Sequence, residues 1–225
     1  MKNVFFLGLF TLILIACQSN NKQKLESSTN IQDVVHQPKK NPNFQWEAAT
    51  VYFLLTDRFN NGNPNNDINF ERDEETGKLR GFLGGDIQGI TQKINEGYFS
   101  DLGVNAIWFT PVVEQIHGAT DEGTGNTYGS HGYWAKDWTA LDPNFGTDKD
   151  LETLIKTAHE NGIRILLDVV LNHTGPVTNE DPVWPEEWVR TSPTCEFTTY
   201  ENTTACTLVA NLPDIRTESD AAVNL

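Results

Sequence analysis

Three short apolar runs separated by amphipathic segments organise the chain. The runs are ATVYFLLTDRF (residues 49–59), NAIWFTPVV (105–113) and IRILLDVVLN (163–172), and each has the length of a buried strand. The second and third runs are nearly continuous rather than alternating, which is typical of parallel strands covered on both faces. The pattern therefore predicts three buried parallel strands.

A one-faced helix is predicted between the second and third strands. The segment GTDKDLETLIKTAHENG spans residues 146–162, and its apolar residues recur at i, i+3, i+4 and i+7 from Leu151. Thr147 and Asp150 form a capping-box signal at its start, and Gly162 is typical of a C-terminal stop.

Another helix is predicted between the first and second strands, over GITQKINEGYFSDLG (89–103). Its apolar positions recur four residues apart, at Ile90, Ile94, Tyr98 and Leu102. The order strand, helix, strand, helix, strand predicts right-handed βαβ units and an α/β architecture. In such folds the chemistry lies in loops at the carboxyl ends of the strands, and polar residues crowd those ends here.

Composition and charge narrow the range of partners. The 225 residues are 38% hydrophobic and 21% charged, which favours one or two globular domains over a disordered chain. The 31 acidic residues outnumber the 16 basic ones, so the formal net charge is −15. This charge argues against binding to nucleic acid or to an anionic membrane surface.

The N-terminus predicts an exported protein. The stretch MKNVFFLGLFTLILIAC has one lysine, an apolar run and a small residue before Cys17, as in a secretory signal. It resembles a bacterial lipoprotein signal, with residues 1–16 removed and Cys17 lipidated. The chain would then be held at a membrane by acyl chains, facing the periplasm or the cell surface. The alternative is an ordinary signal peptide with an incidental cysteine.

Two further features concern the regions on either side of the predicted strands. Residues 17–45 are polar and nearly free of aromatic residues, which predicts a flexible tether before a fold that begins near Trp46. Cys195 and Cys206 lie close together in a loop-like region of a chain expected to be exported. This placement favours a local disulfide, with two free thiols as the alternative.

Two segments carry candidate binding chemistry. NNGNPNND (60–67) and GGD (84–86) are rich in side-chain oxygens, which suit calcium; the alternative is a solvated turn. SHGYWAKDW (130–138) places aromatic rings beside polar groups, an arrangement that suits carbohydrate binding, and core packing is its alternative.

The end of the third run is the third candidate. Asp168, Asn172 and His173 are expected at the rim of the sheet, where an active site would be built. The alternative is that the first two cap backbone groups and that His173 is a satisfied interior histidine.

These motifs together resemble the α-amylase family of glycoside hydrolases. DVVLNH, HGYW followed by DPNFGT, and NLPDI are similar to family motifs and occur in the family's order between residues 51 and 224. TDRF, GNPNND and GGD resemble secreted amylases and cyclodextrin glucanotransferases in particular. The implied fold is α/β, the N-terminal part of a (β/α)8 TIM barrel. Its first three βα units would span residues 46–173, with a small inserted domain after the third strand at 174–225.

The resemblance implies a role for each residue of the sugar site. Asp168 would support the catalytic centre, and His173 would hydrogen-bond the sugar in the cleaved subsite. Tyr133 would stack under that sugar, with His131 and Trp134 beside it.

The resemblance also implies calcium as a cofactor. One ion, bound by Asn172 and Asp214, would join the inserted domain to the barrel. A second ion would lie in the first loop, and its ligands would be Asn61, Asn63, Asn66, Asp67, the carbonyl of Gly84, and Asp86.

The implied activity is retaining hydrolysis of α-1,4-glucosidic bonds in starch-like α-glucans, by a protein expected to be a monomer. Such enzymes use two carboxylates ~5–5.5 Å apart, which the family takes from its fourth and fifth strands. The sequence ends at Leu225, before those motifs. We therefore expect an incomplete fragment that is inactive alone. The alternatives are a cyclodextrin glucanotransferase-type transglycosylase and a non-catalytic glycan-binding lipoprotein.

Overall fold

Three parallel strands form the central sheet of the computed structural model, which describes residues 44–209 and 211–223. These strands are β1 (Val51–Leu54), β2 (Ala106–Phe109) and β7 (Arg164–Leu167), in the order β1-β2-β7. Trp108 of β2 is in register with Phe53 on one side and with Leu166 on the other. The predicted alternation of strands and helices is confirmed.

Helices lie between the strands as the amphipathic patterns predict, and a further short helix lies at the end of the apolar run predicted as the first strand. They are α1 (Thr56–Phe59), α2 (Ile87–Asn95), α3 (Tyr98–Asp101) and α4 (Asp148–Glu160). The capping box of Thr147 and Asp150 is present at the start of α4. Gly162 follows the helix with a φ of 74°, and the Ile163 N–H returns to the Ala158 carbonyl at 2.8 Å.

The earlier helix is shorter than predicted. It ends at Asn95, because Gly97 takes a left-handed φ of 82° and redirects the chain into α3. The four-residue periodicity therefore does not continue: Tyr98 is 38% exposed and Leu102 54%, whereas Phe99 is fully buried.

The remaining elements are short. The antiparallel pairs are β3 (Val113–Gln115) with β6 (Ala135–Leu141), β4 (Thr120–Asp121) with β5 (Asn126–Thr127), and β8 (Val189–Arg190) with β9 (Asp214–Ile215). Single turns of helix form α5 (Glu201–Thr204) and α6 (Asp220–Val223). Two 3₁₀ turns lie at Trp46–Ala48 and Pro64–Asn66.

The described helices cover only one face of the sheet, so the prediction of two covered faces is wrong for this part of the chain. Leu54, Ile107 and Phe109 are buried with side chains of α2 and α4. On the other face Phe53 and Trp108 are 45% and 42% exposed. The continuous apolar runs reflect a second face that no described helix covers.

The third strand is also shorter than predicted, since β7 ends at Leu167. Asp168 follows the strand directly, but Asn172 and His173 lie in the connection beyond it. An isolated bridge pairs His173 with Asp214, so this connection is tied to β9 rather than to the central sheet.

The remaining predictions concern the two cysteines at 195 and 206 and the N-terminal segments. Cys195 and Cys206 form a disulfide in the structure, with their Cα atoms 5.0 Å apart. The signal peptide, Cys17 and nearly all of the tether lie outside the described residues. Within residues 44–209 and 211–223, the helices are too short and too polar to span a bilayer.

The capping box makes α4 testable. Thr147→Ala removes a hydroxyl that accepts from the Asp150 N–H and donates to the Asp150 carboxylate. We expect the free energy of unfolding in urea to fall by about 1 kcal/mol. Thr153→Ala on the exposed surface of the same helix is the matched control, with an expected change within about 0.5 kcal/mol. Equal losses in both variants would contradict a capping role.

Candidate functional site

A carboxylate at the carboxyl end of β7 is the centre of the candidate site. Oδ2 of Asp168 accepts a hydrogen bond from the Tyr133 hydroxyl at 2.9 Å. The same oxygen accepts from the indole Nε1 of Trp108 at 3.2 Å. Because β2 and β7 run in parallel, the ring on one strand reaches the carboxylate that follows the other. Two neutral donors therefore orient Asp168 and leave its second oxygen available to accept from a ligand.

Tyr133 lies beside this carboxylate as a protonated phenol. Burial raises the pKa of Tyr133 to about 12, and the hydrogen bond and charge of Asp168 act in the same direction. Its hydroxyl is thus a proton donor at neutral pH and not a base.

His131 is held as a neutral ring next to Tyr133. Its Nδ1 accepts from the backbone N–H of Tyr133 at 3.0 Å, which leaves the ring proton on Nε2. The two rings are nearly parallel, at 16°, with centroids 6.0 Å apart. Burial lowers the pKa of His131 to about 4.

His173 contacts the same segment from the other side. Its Nε2 donates to the Tyr133 carbonyl at 3.3 Å, and its Nδ1 accepts from the Asn172 amide at 3.4 Å. Burial also lowers the pKa of His173, and the bond to the carbonyl opposes this shift. The structure therefore brings together His131, Tyr133, Asp168 and His173, all four from the predicted sugar site.

Trp134 occupies a different position from its neighbours. It is 7% exposed, and its ring packs edge-on against His131 at 4.8 Å between centroids. The backbone N–H of Trp134 donates to Gln115 Oε1 at 2.8 Å, and the backbone carbonyl of Trp134 accepts from the Ile116 N–H at 3.0 Å. Trp134 is thus a buried support, and we call His131, Tyr133 and Trp134 together the aromatic rim.

Trp108 is a site residue that the sequence motifs do not identify. The signal for it is strand parity: Trp108 is in register with Leu166, and Asp168 comes two residues later. Its ring also meets the Phe53 ring at 4.8 Å between centroids. The exposed face of the sheet therefore carries an aromatic pair directly beside Asp168.

The oxygen-rich loop, residues 60–67 with Gly84–Asp86, forms a second cluster. The Asn61 amide donates to both oxygens of Asp67, at 2.8 and 3.0 Å. Asp86 accepts from the backbone N–H groups of Gly62 and Asn63, at 3.1 and 2.9 Å, and caps the start of α2. Burial raises the pKa of Asp86, and these hydrogen bonds oppose the shift.

Two features of the oxygen-rich loop are consistent with a bound cation. Oδ1 of Asn66 is buried without a hydrogen-bond partner, which leaves an amide oxygen free to be a ligand. Gly84 has a φ of 88°, and a side chain there would collide with Asn61 and Asp67. The described residues contain no cluster of three or more His, Cys, Asp or Glu side chains suited to a metal. The donors here are mainly amide and carbonyl oxygens, which calcium accepts.

Asp57 supports this loop, a role that its sequence context does not reveal. It is 2% exposed, and its carboxylate accepts from the N–H groups of Leu83 and Gly84 at 2.9–3.2 Å. The TDRF segment after β1 therefore holds the start of the GGD segment in place through the Asp57 carboxylate.

Asn172 and Asp214 are adjacent, since the Ile215 N–H donates to the Asn172 carbonyl at 2.9 Å. The Asp214 carboxylate lies 3.3 Å from Arg190 Nε. Burial raises the pKa of Asp214 to about 6, although Arg190 acts in the opposite direction. With Arg190 as its partner, this carboxylate does not fit a calcium site in its present arrangement, and the predicted role of the pair stays a prediction.

Comparison with known proteins places these residues in context. Residues 53–192 match the family model described as alpha amylase, catalytic domain. The periplasmic alpha-amylase of Escherichia coli (strain K12) is 49% identical over 142 residues, which cover 61% of this chain and 21% of that protein. The cyclomaltodextrin glucanotransferase of Bacillus sp. (strain 1011) is 41% identical over 142 residues, covering 63% and 20%.

Solved structures give the same grouping. The Gamma-CGTase from alkalophilic Bacillus clarkii superposes with a TM-score of 0.68 at 29% identity, covering 78% of this chain and 28% of that one. The chain spans about a fifth of the length of the curated relatives it matches.

The pKa of His131 predicts a dependence of stability on pH. It is lowered to about 4 by burial, with Glu122 opposing the shift and Arg58 and His173 adding to it. Between about pH 4 and the unfolded value near 6.5, the unfolded chain binds the extra proton, so stability falls as pH falls. From pH 7 to pH 5 this group should cost about 2 kcal/mol.

Urea unfolding of wild type and His131→Gln at both pH values measures this contribution. The variant should lose that part of the pH dependence, whereas His159→Gln on the exposed end of α4 should keep it. The same pH dependence in wild type and His131→Gln would contradict the assignment.

Proposed function

The chain belongs to the alpha-amylase family of glycoside hydrolases, and we propose that it forms the sugar-binding rim of an enzyme that cleaves α-1,4-glucosidic bonds in starch-like α-glucans by a retaining mechanism. The family has a TIM-barrel catalytic domain. In this proposal β1, β2 and β7 are the first three barrel strands, and residues 174–225 form the inserted domain. The observation that carries the proposal is the convergence of Tyr133, Trp108 and Asp168 at the carboxyl end of β7.

In this proposal Tyr133 and His131 of the aromatic rim, together with His173, contact the bound glucose unit. The half-buried Tyr133 ring offers its face to the apolar face of the sugar, and its hydroxyl holds Asp168. His131 donates a hydrogen bond from its Nε2–H to a sugar hydroxyl. His173 gives up its 3.3 Å bond to a carbonyl and donates to the sugar instead. All three groups are neutral at pH 7, which matches an uncharged substrate.

Asp168 has a supporting role beside the reacting bond. Its free oxygen accepts from a sugar hydroxyl or from a catalytic group next to it, and Trp108 and Tyr133 fix its orientation. A retaining glycosidase also needs a nucleophile and an acid ~5–5.5 Å apart. We assign neither role to a described residue, so sugar binding is the property of this chain to test first.

A transglycosylase is the second candidate, favoured by the 41% identity to a cyclomaltodextrin glucanotransferase. Hydrolysis and transfer share the retaining chemistry and differ in the acceptor, water or a sugar hydroxyl. Incubation of starch with the whole protein separates them: linear maltooligosaccharides support the hydrolase, and cyclic products support the transferase.

We also propose calcium in the oxygen-rich loop, with Asn61, Asn63, Asn66, Asp67, Gly84 and Asp86 as the ligands. When bound there, the ion would supply charge to hold these oxygens together, and it takes no part in bond cleavage. The free Asn66 oxygen and the close approach at Gly84 support the proposal. Asn172 and Asp214 are not part of this proposal, because Arg190 is already the partner of the Asp214 carboxylate. Export is supported by a periplasmic relative, and lipid attachment at Cys17 belongs to the same proposal.

Sugar binding is tested by titrating maltoheptaose into the purified chain in a calorimeter. Tyr133→Ala removes the stacking ring and the donor to Asp168, so the Kd should rise at least tenfold, since such contacts are each worth about 1 kcal/mol or more. Tyr200→Ala is the matched control, because Tyr200 is 78% exposed and distant in sequence. Equal affinity of wild type and Tyr133→Ala would contradict the proposed rim.

Calcium binding is tested by thermal unfolding in CaCl₂ and in EGTA. At a calcium concentration 100 times Kd, the wild type should gain about 2.7 kcal/mol of stability. Asp67→Asn removes the loop carboxylate and should lose most of this gain. Asp73→Asn, on an exposed residue of the same long connection, should keep it. The absence of any calcium effect on the wild type would overturn the site.

A further inference from the structure

A buried hydrogen-bond network around Arg72 connects the oxygen-rich loop to the aromatic rim. The side chains of Arg72 and Asp142 are both fully buried. Nη1 of Arg72 lies 2.9 Å from Asp142 Oδ1 and 2.9 Å from Asn144 Oδ1. We call Arg72, Gln115, Asp142 and Asn144 the Arg72 network.

Asn144 connects this network to the oxygen-rich loop. Its amide donates to the carbonyl of Asp67 at 2.6 Å, and its backbone N–H donates to Asp142 Oδ1 at 3.0 Å. The backbone of a candidate calcium ligand is therefore one hydrogen bond from Asn144 and two from Arg72.

Gln115 connects the network to the aromatic rim. Nη2 of Arg72 donates to the carbonyls of Gln115 and Ile116, at 2.7 and 3.0 Å. The Gln115 N–H donates to Asp142 Oδ2 at 2.9 Å, and its side-chain Oε1 accepts from the Trp134 N–H at 2.8 Å. The Ile116 N–H donates to the Trp134 carbonyl at 3.0 Å. Both backbone groups of Trp134 are thus held by residues that Arg72 holds.

The chain takes an unfavourable backbone conformation to place Arg72. Phe70 and Glu71, just before it, have left-handed φ values of 54° and 55°. The guanidinium lies between the rings of Phe70 and Phe82, 5.0 and 4.9 Å from their centroids. Non-glycine residues keep such angles only where surrounding contacts hold them. The contacts of Arg72 supply that restraint on the segment after the oxygen-rich loop.

We infer that Arg72 is a positioning residue that makes calcium binding in the oxygen-rich loop and α-glucan binding at the aromatic rim cooperative; the inference rests on the proposed function. A cation that orders the loop also orders Asp67, Asn144 and Arg72, and through Gln115 the backbone of the rim. The glucan then binds a rim that is already ordered and loses less conformational entropy on binding. The coupling is reciprocal, so the glucan tightens calcium binding by the same factor.

The wild-type chain provides the first test. The Kd of maltoheptaose is measured in CaCl₂ and in EGTA, and the Kd of calcium is measured with and without maltoheptaose. We expect each ligand to bind at least about fivefold tighter in the presence of the other, by equal factors. Failure to bind either ligand alone would overturn the proposed function. Binding of both ligands with unchanged affinities would overturn only the present inference.

Two variants locate the coupling. Arg72→Lys keeps a positive charge beside Asp142 but cannot make all the bonds of the guanidinium at once. Asn144→Ala cuts the connection to the oxygen-rich loop and leaves the bonds from Arg72 to Gln115 and Ile116. In both variants the coupling factor should fall to near one while each ligand still binds alone. If Arg72→Lys does not fold, Asn144→Ala and the wild type decide the question.

Leu154→Ala is the control for a general loss of stability. It removes a fully buried side chain from α4 and none of these hydrogen bonds. It should lower the melting temperature and keep the coupling factor. Loss of coupling in Leu154→Ala equal to that in Asn144→Ala would show that the coupling reflects overall stability, and retention of coupling in Asn144→Ala would exclude the proposed route.

Discussion

The parallel pairing of β1, β2 and β7 is the constraint on which the candidate site depends. Strands that run in one direction place their carboxyl ends at one edge of a sheet, so Asp168 after β7 comes within reach of Trp108 on β2. The register also matters, because side chains alternate between the faces. A slip of one residue would exchange Trp108 with the buried Phe109 and remove a donor from Asp168. With α2 and α4 on one face, the other face is left to the site.

Burial acts differently on the groups around that edge. It keeps the rings of His131 and Tyr133 neutral, with pKa values of about 4 and about 12, so neither ring carries a charge at neutral pH. Arg72 and Asp142 are buried as an ion pair and are bonded to Asn144 and to Gln115. Such a pair adds little net stability over apolar packing, but breaking it is costly, so it enforces one arrangement of the groups it holds. This is the property that a positioning residue needs.

The family match and the site geometry support the proposed function on separate grounds. The matched residues, 53–192, include the oxygen-rich loop, the aromatic rim and Asp168. The geometry adds what a family match does not contain: which ring nitrogen of His131 carries the proton, that Trp134 is a support, and that Arg72 lies between the two clusters.

The sequence by itself determined the features that depend on near neighbours along the chain. The order of strands and helices and the capping box of α4 follow from patterns within a few residues, and the structure confirms them. The family motifs also identified the residues of the aromatic rim and the candidate calcium ligands of the oxygen-rich loop. The roles of these residues in binding stay predictions. Even the end of α2 has a local signal in Gly97, although the apolar periodicity on either side of this glycine predicts a longer helix.

Only the tertiary structure decided which distant groups meet. The bond from Trp108 to Asp168 joins residues 60 positions apart, and that from Arg72 to Asp142 joins residues 70 apart. Such partners are chosen by strand order, register and the packing of one helical layer, which no short segment encodes. For the same reason apolar patterns alone could not tell a covered face of the sheet from the face that carries Phe53 and Trp108. Local hydrogen bonds depend on residues that are adjacent in sequence, whereas the site depends on the packing of segments that are distant in sequence.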